Sequence, residues 1–164
     1  MKVQMKHSID LLNLLKYLMV LVFLAYIVFL LARESADDVP VETLEKEIMK
    51  VTTEDGMTKG TTQDLQRYYG LNAEDYDGVV LYVPNDVMSV NELLIVKLKD
   101  ESQARQVEEA ATERLDTQKT SFEGYGVEQT SLLNAAILET RGTYVFLTVS
   151  EDADEIYAAF KNCL

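Results

Sequence analysis

The longest apolar segment of the chain is Tyr17–Ala32, which contains no charged residue, glycine or proline. At about 1.5 Å per helical residue it would extend roughly 24 Å, less than a hydrocarbon layer of about 30 Å. Extension back to Leu11 includes Lys16 near one end, where a lysine side chain can reach the lipid headgroups. The pattern therefore predicts a membrane-spanning helix, Leu11–Ala32, after a short stub of residues 1–10.

The charges beside this segment predict its orientation. Lys2, Lys6 and Lys16 lie on the N-terminal side, whereas only Arg33 follows closely before acidic residues begin. By the positive-inside rule, the N-terminus is cytoplasmic and residues 33–164 lie outside the cell. A cleaved signal peptide is the rival interpretation, although the small residues that cleavage requires are poorly placed. A buried helix of a soluble protein is the third, and it fits the length of the segment least well.

After a polar linker at residues 33–39, apolar residues recur at helical spacing in several segments of a single domain, residues 40–164. Val41, Leu44 and Ile48 predict a first helix of about three turns. Asp100 and Gln103 predict a capping box before the longest helix, which begins near Glu101 and ends at Lys119 or Phe122. Further helices are predicted at residues 63–69 and after Ser150, and a short helix or a turn is predicted at residues 127–134.

Strands are predicted at residues 79–83, 92–99, 136–141 and 143–149, the last two forming a hairpin about Gly142. In the second strand, Leu94, Val96 and Leu98 occupy one face and lysines share the other, so we expect one buried and one partly wet face. The order of elements predicts an α+β fold. We expect a two-layer sandwich, in which helices cover one face of a mostly antiparallel four-stranded sheet.

The formal net charge of the chain is −13 at pH 7. Residues 1–32 contain three lysines and one aspartate, so residues 33–164 carry −15. Nucleic acids and anionic headgroups are disfavoured as partners, because binding phosphate groups requires lysine and arginine. The acidic balance is compatible with a basic partner, or with solubility alone.

Reactive side chains are few in the predicted outer domain. The single histidine, His7, lies in the stub, and the single cysteine, Cys163, lies next to the C-terminal residue. A Ser-His-Asp triad, a Cys-His pair, a histidine zinc site and an intramolecular disulfide therefore lack their parts. A turn explains Asp75–Gly78 better than a calcium loop does, and a helix start explains Glu151–Glu155 better than metal binding does. We assign no catalytic, cofactor-binding or metal-binding residue.

Aromatic side chains are the remaining candidates for binding. Phe122 and Tyr125 lie in the segment Ser121–Gly126, whose two glycines follow a helix and so do not form a phosphate-binding loop. Together with Tyr144 they form the candidate recognition surface. For Phe122 and Tyr125, burial in the core or the lining of a groove is the favoured interpretation, and the recognition surface is the alternative.

Three segments of the C-terminal half resemble a known family: Leu93–Ala104 (LLIVKLKDESQA), Thr112–Leu133 and Gly142–Phe160. From Val41 onward, the chain is similar to uncharacterised extracytoplasmic domains of clostridia-type Gram-positive bacteria, which occur as lipoproteins or behind one transmembrane helix. The resemblance implies an envelope location, a single α+β domain and no particular activity. Unlike the lipoproteins, this chain has no lipid-accepting cysteine after its apolar segment.

These observations predict a non-enzymatic cell-membrane protein, anchored through Leu11–Ala32, whose outer domain binds an envelope protein or a wall component. One alternative is a sensor domain for a small ligand or a cation. Others are a domain secreted after signal cleavage and, least favoured, a hydrolase that uses carboxylates alone.

Overall fold

The computed structural model describes residues 11–36, 39–53 and 56–164, and within the first range the side chains of residues 14–28. The predicted stub, residues 1–10, lies outside the described residues, as do residues 37–38 of the predicted linker. The chain divides into two compact units between residues 38 and 39.

The first unit contains helix α1, Leu11–Ala36, which continues past Ala32 into the predicted linker. Almost all of its described side chains are exposed, including Leu18 and Phe23. Among the residues that the structure describes, no helix is both long and apolar enough to cross a membrane. The role of α1 as an anchor stays a prediction from the sequence.

The second unit is an α+β domain, as predicted, with one antiparallel sheet of five strands. Short 3₁₀ turns, Ala73–Asp75 and Glu101–Gln103, precede the second strand and the longest helix of this domain. In chain order, the elements are α2 (Val41–Ile48), β1 (Met57–Lys59), α3 (Thr62–Tyr69), β2 (Gly78–Pro84), β3 (Glu92–Lys97), α4 (Ala104–Phe122), α5 (Val127–Asn134), β4 (Ile137–Arg141), β5 (Tyr144–Val149) and α6 (Ala153–Cys163).

The strand order across the sheet is β1-β2-β3-β5-β4. The predicted hairpin is confirmed, since β4 and β5 pair around Gly142 with Arg141 opposite Tyr144. The prediction of four strands is wrong, because β1 pairs with β2 along one edge, with Lys59 opposite Tyr82. Three residues in a loop-like segment carry little strand signal of their own, and β2 supplies the hydrogen-bond partners that make them a strand.

Helices pack on both faces of the sheet, so the predicted two-layer arrangement is wrong. Consecutive residues of a strand point to opposite faces, and Leu93, Leu94, Ile95 and Val96 of β3 are all buried. Four consecutive apolar residues are typical of a strand covered on both sides, and the expected wet face of β3 does not exist.

We call the two sides of the sheet the α4 face and the α6 face. On the α4 face, Leu94 and Val96 pack in one core with residues of α3, α4 and α5, among them Val107. On the α6 face, Leu93 and Ile95 pack in a second core with residues of α2 and α6. Each helical layer therefore has its own apolar core, and the sheet separates the two cores.

Local capping sets the ends of the helices that position the site. The capping box predicted at Asp100 and Gln103 is confirmed, and it opens the 3₁₀ turn before α4. A second capping box, Thr61 with Asp64, begins α3, and Gly70 ends it at a φ of 65°. The left-handed conformation of Gly70 stops α3 immediately after Tyr68 and Tyr69, so both tyrosines lie in its last turn.

Candidate functional site

Glu92, the first residue of β3, is a carboxylate inside the apolar core. It lies in phase with Leu94 and Val96, so its side chain points to the α4 face, and it is only 1% exposed. Burying a carboxylate without partners would be strongly destabilising, which means that the surrounding elements must supply hydrogen-bond donors.

Three side chains donate to Glu92, and they come from α3 and α4. Arg114 donates through Nε, at 3.2 Å from each carboxylate oxygen, and through Nη2, at 3.0 Å from Oε2. The Tyr69 hydroxyl donates to Oε1 at 2.5 Å, and Gln118 Nε2 donates to Oε2 at 3.0 Å. Both oxygens of Glu92 are therefore engaged, and the cluster ties α3, β3 and α4 together.

The Tyr69 hydroxyl is held in its protonated, donating form. Burial raises the pKa of Tyr69 well above its ordinary value, and the neighbouring Glu92 carboxylate raises it further. Arg114 offsets only part of this rise. A phenolate next to the carboxylate would place two negative charges together in the core, so the hydrogen bond fixes the proton on the tyrosine.

A groove of about 400 Å³ opens between α3 and α4, with Arg114 in its lining. The Tyr68 ring lies over the guanidinium, with its centroid 4.5 Å from Arg114 Cζ and 5.7 Å from Arg67 Cζ. The lining residues are Gln66, Arg67, Tyr68, Tyr69, Gly70, Ala110, Glu113, Arg114 and Thr117.

Arg114 uses only part of its donor capacity within the protein. No hydrogen-bond partner of Nη1 is found among the described residues, whereas Nε and Nη2 face Glu92. Nη1 is also absent from the fully buried unpartnered side-chain atoms of the described residues, which are Gln118 Oε1 and Thr148 Oγ1. The Arg114 side chain is 13% exposed and borders the groove, so Nη1 is the guanidinium nitrogen placed to donate to a carbonyl or carboxylate there.

A family model for a domain of unknown function, DUF4358, matches residues 49–150. The chain belongs to the DUF4358 family. The matched range contains the five strands, Glu92 and both walls of the groove, and it excludes α2 and α6. No curated protein and no solved structure matches the chain. The expected membership of an uncharacterised domain family is confirmed, while the bacterial group and the extracytoplasmic location stay predictions.

The structure does not bring the three candidate recognition residues of the DUF4358 domain together, and core burial, the favoured interpretation, is correct for Phe122. Phe122 and Tyr125 lie together, with ring centroids 5.7 Å apart, but Phe122 is 6% exposed and belongs to the core of the α4 face. Tyr144 is 0% exposed and belongs to the core of the α6 face. Of the three, only Tyr125, at 65% exposure, is placed to contact a partner.

Tyr68 and Tyr69 are among the tyrosines that the sequence offers for an aromatic binding face, whereas Glu92, Arg114 and Gln118 are not predicted, although a signal for them exists. Arg114 and Gln118 continue the buried series Val107 and Ala111 at spacings of three and four, which places them on the inner side of α4. Glu92 likewise lies two residues before Leu94, which places it on the same face of β3 as Leu94 and Val96. A charged residue that falls in phase with buried apolar residues predicts a partner of opposite charge, and here this pattern pairs Glu92 with Arg114.

The acidic segments of the DUF4358 domain occupy the local structures predicted for them. Asp75 ends a 3₁₀ turn, and Asp154 and Glu155 lie in the first turn of α6. Among the described residues, no group of three or more histidine, cysteine or acidic side chains could hold a metal ion.

A second groove, of about 340 Å³, lies at the end of the sheet where the β2–β3 loop meets α5 and the start of α6. Several polar groups there bond to each other: Thr53 Oγ1 donates to Asp152 at 3.4 Å, and Gln129 donates to the Met88 carbonyl at 3.1 Å. The α3–α4 groove is the stronger candidate site, because it contains an ordered charged group with an unused donor.

Proposed function

We propose that this DUF4358 protein is a single-pass membrane protein and that its domain, residues 39–164, acts outside the cell by binding. The apolar run Tyr17–Ala32 and the lysines before it support this location and orientation. The proposed partner is an envelope protein or a wall component.

The α3–α4 groove is the observation that carries the binding role. Its arginine is oriented by Glu92, lies against the Tyr68 ring and is 13% exposed at the groove. A guanidinium held in this way loses little conformational freedom when a ligand arrives, which favours affinity.

The same geometry argues against the carboxylate hydrolase. Glu92 would have to give up hydrogen bonds from Tyr69 or Arg114 before it accepted a proton from a substrate. Burial raises the pKa of the Cys163 thiol, and the nearby Glu47 adds to the rise, which reduces the thiolate available as a nucleophile. These groups support binding better than catalysis.

Signal cleavage, the other alternative, would leave the same groove in a released domain.

Location and orientation are tested with a reporter fused to the C-terminus in whole cells. The proposal predicts that external protease removes the reporter and that a full-length chain stays with the membrane after a high-salt wash. A reporter protected from protease would refute the orientation, and a shortened chain in the medium would establish cleavage instead.

The binding role is tested by crosslinking in intact cells from a photoreactive residue placed at Gln66, on the rim of the groove. A matched photoreactive residue at Asn162, exposed near the end of α6, serves as the control. We expect a specific adduct from position 66 that Arg67→Gln weakens. Identical adducts from both positions, or none from position 66, would rule out the groove as a binding site.

A further inference from the structure

Charged side chains of both signs lie around the part of the Arg114 guanidinium that does not face Glu92. Arg67 and Glu113 are exposed on opposite walls of the groove, one on α3 and one on α4. Neither forms a salt bridge with another described residue. Glu92 already neutralises the charge of Arg114 from beneath, so the groove presents a donor-rich floor beside one free carboxylate.

We propose that the α3–α4 groove binds a small zwitterionic ligand of the amino-acid or short-peptide class. The ligand carboxylate accepts from Arg114 Nη1 and is attracted by Arg67, and the ligand ammonium lies toward Glu113. This inference rests on the binding role proposed above, and it narrows the ligand of the groove to a small molecule or the peptide part of a wall component, not the surface of an envelope protein.

A zwitterion fits the electrostatics better than an ion of either sign. Residues 33–164 carry −15, which repels a simple anion before it reaches the groove. A simple cation would leave the solvent-facing donor of Arg114 without an acceptor. A ligand with both charges avoids the long-range repulsion, and it can pair its carboxylate with the arginines and its ammonium with Glu113.

The dimensions and the aromatic residue of the groove are also compatible with this class. Its volume of about 400 Å³ lies within the range for small-molecule sites, which is roughly 300–1,000 Å³. The Tyr68 ring stacks on Arg114 and offers an apolar surface at the same place. Glu92 acts as a positioning residue, because it holds the guanidinium from beneath, and Tyr69 and Gln118 in turn hold Glu92.

Calorimetric titration of the full chain in detergent micelles tests the proposal with four probes: alanine, dialanine, alanine amide and N-acetylalanine. Alanine or dialanine should bind saturably, and the better of the two indicates whether a free amino acid or a peptide is the source of the zwitterion. Amidation should weaken binding at least about tenfold, because the charge-assisted bonds to Arg114 are lost. Acetylation of the amine should weaken it by a smaller factor.

Substitutions at exposed positions assign the binding to the groove. Glu113→Gln should weaken alanine binding and remove the difference between alanine and N-acetylalanine, and Arg67→Gln should weaken every carboxylate probe. Glu109→Gln, exposed on α4 outside the groove lining, should leave all affinities unchanged.

Equal binding of the acid and the amide, indifference to both groove substitutions, or no saturation at tens of millimolar would overturn the zwitterion proposal. A groove-specific adduct in cells together with silent titrations would show that the domain binds a ligand of another class. Failure of the crosslinking as well would remove the binding role itself.

Discussion

The two faces of the sheet are buried by different chemistry. On the α4 face, Glu92 and Arg114 form an ion pair within an apolar core, with Arg114 bordering the groove. On the α6 face, the core is aromatic: Phe146 and Phe160 stack with ring centroids 4.5 Å apart. A buried ion pair contributes little net stability and can fix the orientation of its groups, whereas stacked aromatic rings stabilise a core mainly through the large apolar area that they bury.

This difference indicates which face of the sheet contains the candidate site and which face mainly stabilises the domain. The groove belongs to the α4 face, where a fixed guanidinium is useful to a ligand. The α6 face closes the opposite side of the sheet through α2 and α6, and both of these helices lie outside the matched family range. We infer that the α6 face supplies stability and the α4 face supplies recognition, and substitutions can test each assignment.

The largest expected effect is on the α6 face. Phe160 is fully buried between Phe146 and Tyr157, so Phe160→Ala should lower the free energy of unfolding by about 3–5 kcal/mol. Urea denaturation of the full chain in detergent, followed by circular dichroism, measures this change. Phe160→Leu keeps most of the volume and should lose markedly less stability. Equal losses in the two variants would mean that the ring is not packed as described.

Arg114→Met tests the ion pair on the α4 face. It should lower the free energy of unfolding by about 2–4 kcal/mol, because Glu92 stays buried without its cation. This loss of stability is smaller than the loss expected for a fully buried ion pair, because the Arg114 side chain is 13% exposed. The matched control is Arg105→Met, which removes an exposed α4 pair with Glu109 and should change stability little.

Replacing the whole buried network distinguishes orientation from stability. Glu92→Met and Arg114→Met are combined with Tyr69→Phe and Gln118→Met, because Glu92→Met alone would leave the Tyr69 and Gln118 donors without an acceptor. If the network contributes little net stability, this quadruple variant should recover most of the loss caused by Arg114→Met alone. It should nevertheless lose groove-specific crosslinking from position 66. A quadruple variant as unstable as Arg114→Met would show that the network stabilises the fold, contrary to the comparison of the two faces.

Local patterns predicted much of the fold, but they did not predict how the layers assemble. The Gly142 hairpin and the Asp100–Gln103 capping box are correct because each depends on residues within a few positions. Strand β1 depends on β2, 20 or more residues away along the chain, so its own three residues do not reveal it. Burial of Tyr144 depends on the second helical layer, and the Glu92–Arg114 pair depends on the packing of α4 on the sheet.

Tyr69→Phe should have a smaller effect that depends on pH. At neutral pH it removes a donor to Glu92 and should lower the free energy of unfolding by about 1–2 kcal/mol. The pKa of Tyr69 is raised in the folded state, so the hydroxyl's contribution is fully present below the ordinary tyrosine pKa near 10 and is lost as pH rises above it. The difference between wild type and Tyr69→Phe should therefore narrow above pH 10. Tyr125→Phe, at an exposed position, should follow wild type throughout, and a constant gap for Tyr69→Phe would contradict the buried hydrogen bond.

The smallest effect should be a gain in stability on the α6 face. Thr148 is in phase with Phe146 and 1% exposed, and its Oγ1 has no hydrogen-bond partner among the described residues. Thr148→Val keeps the shape and removes a buried, unpaired hydroxyl, so the free energy of unfolding should rise by up to about 1 kcal/mol.

Gln118→Met is the counterpart on the α4 face: it also removes an unpartnered buried oxygen, but it takes a donor from Glu92 and should destabilise the domain. Opposite signs for these two substitutions would show that the α4 face requires its polar groups while the α6 face merely tolerates one. A loss of stability in both would mean that the α6 face also depends on a buried polar contact.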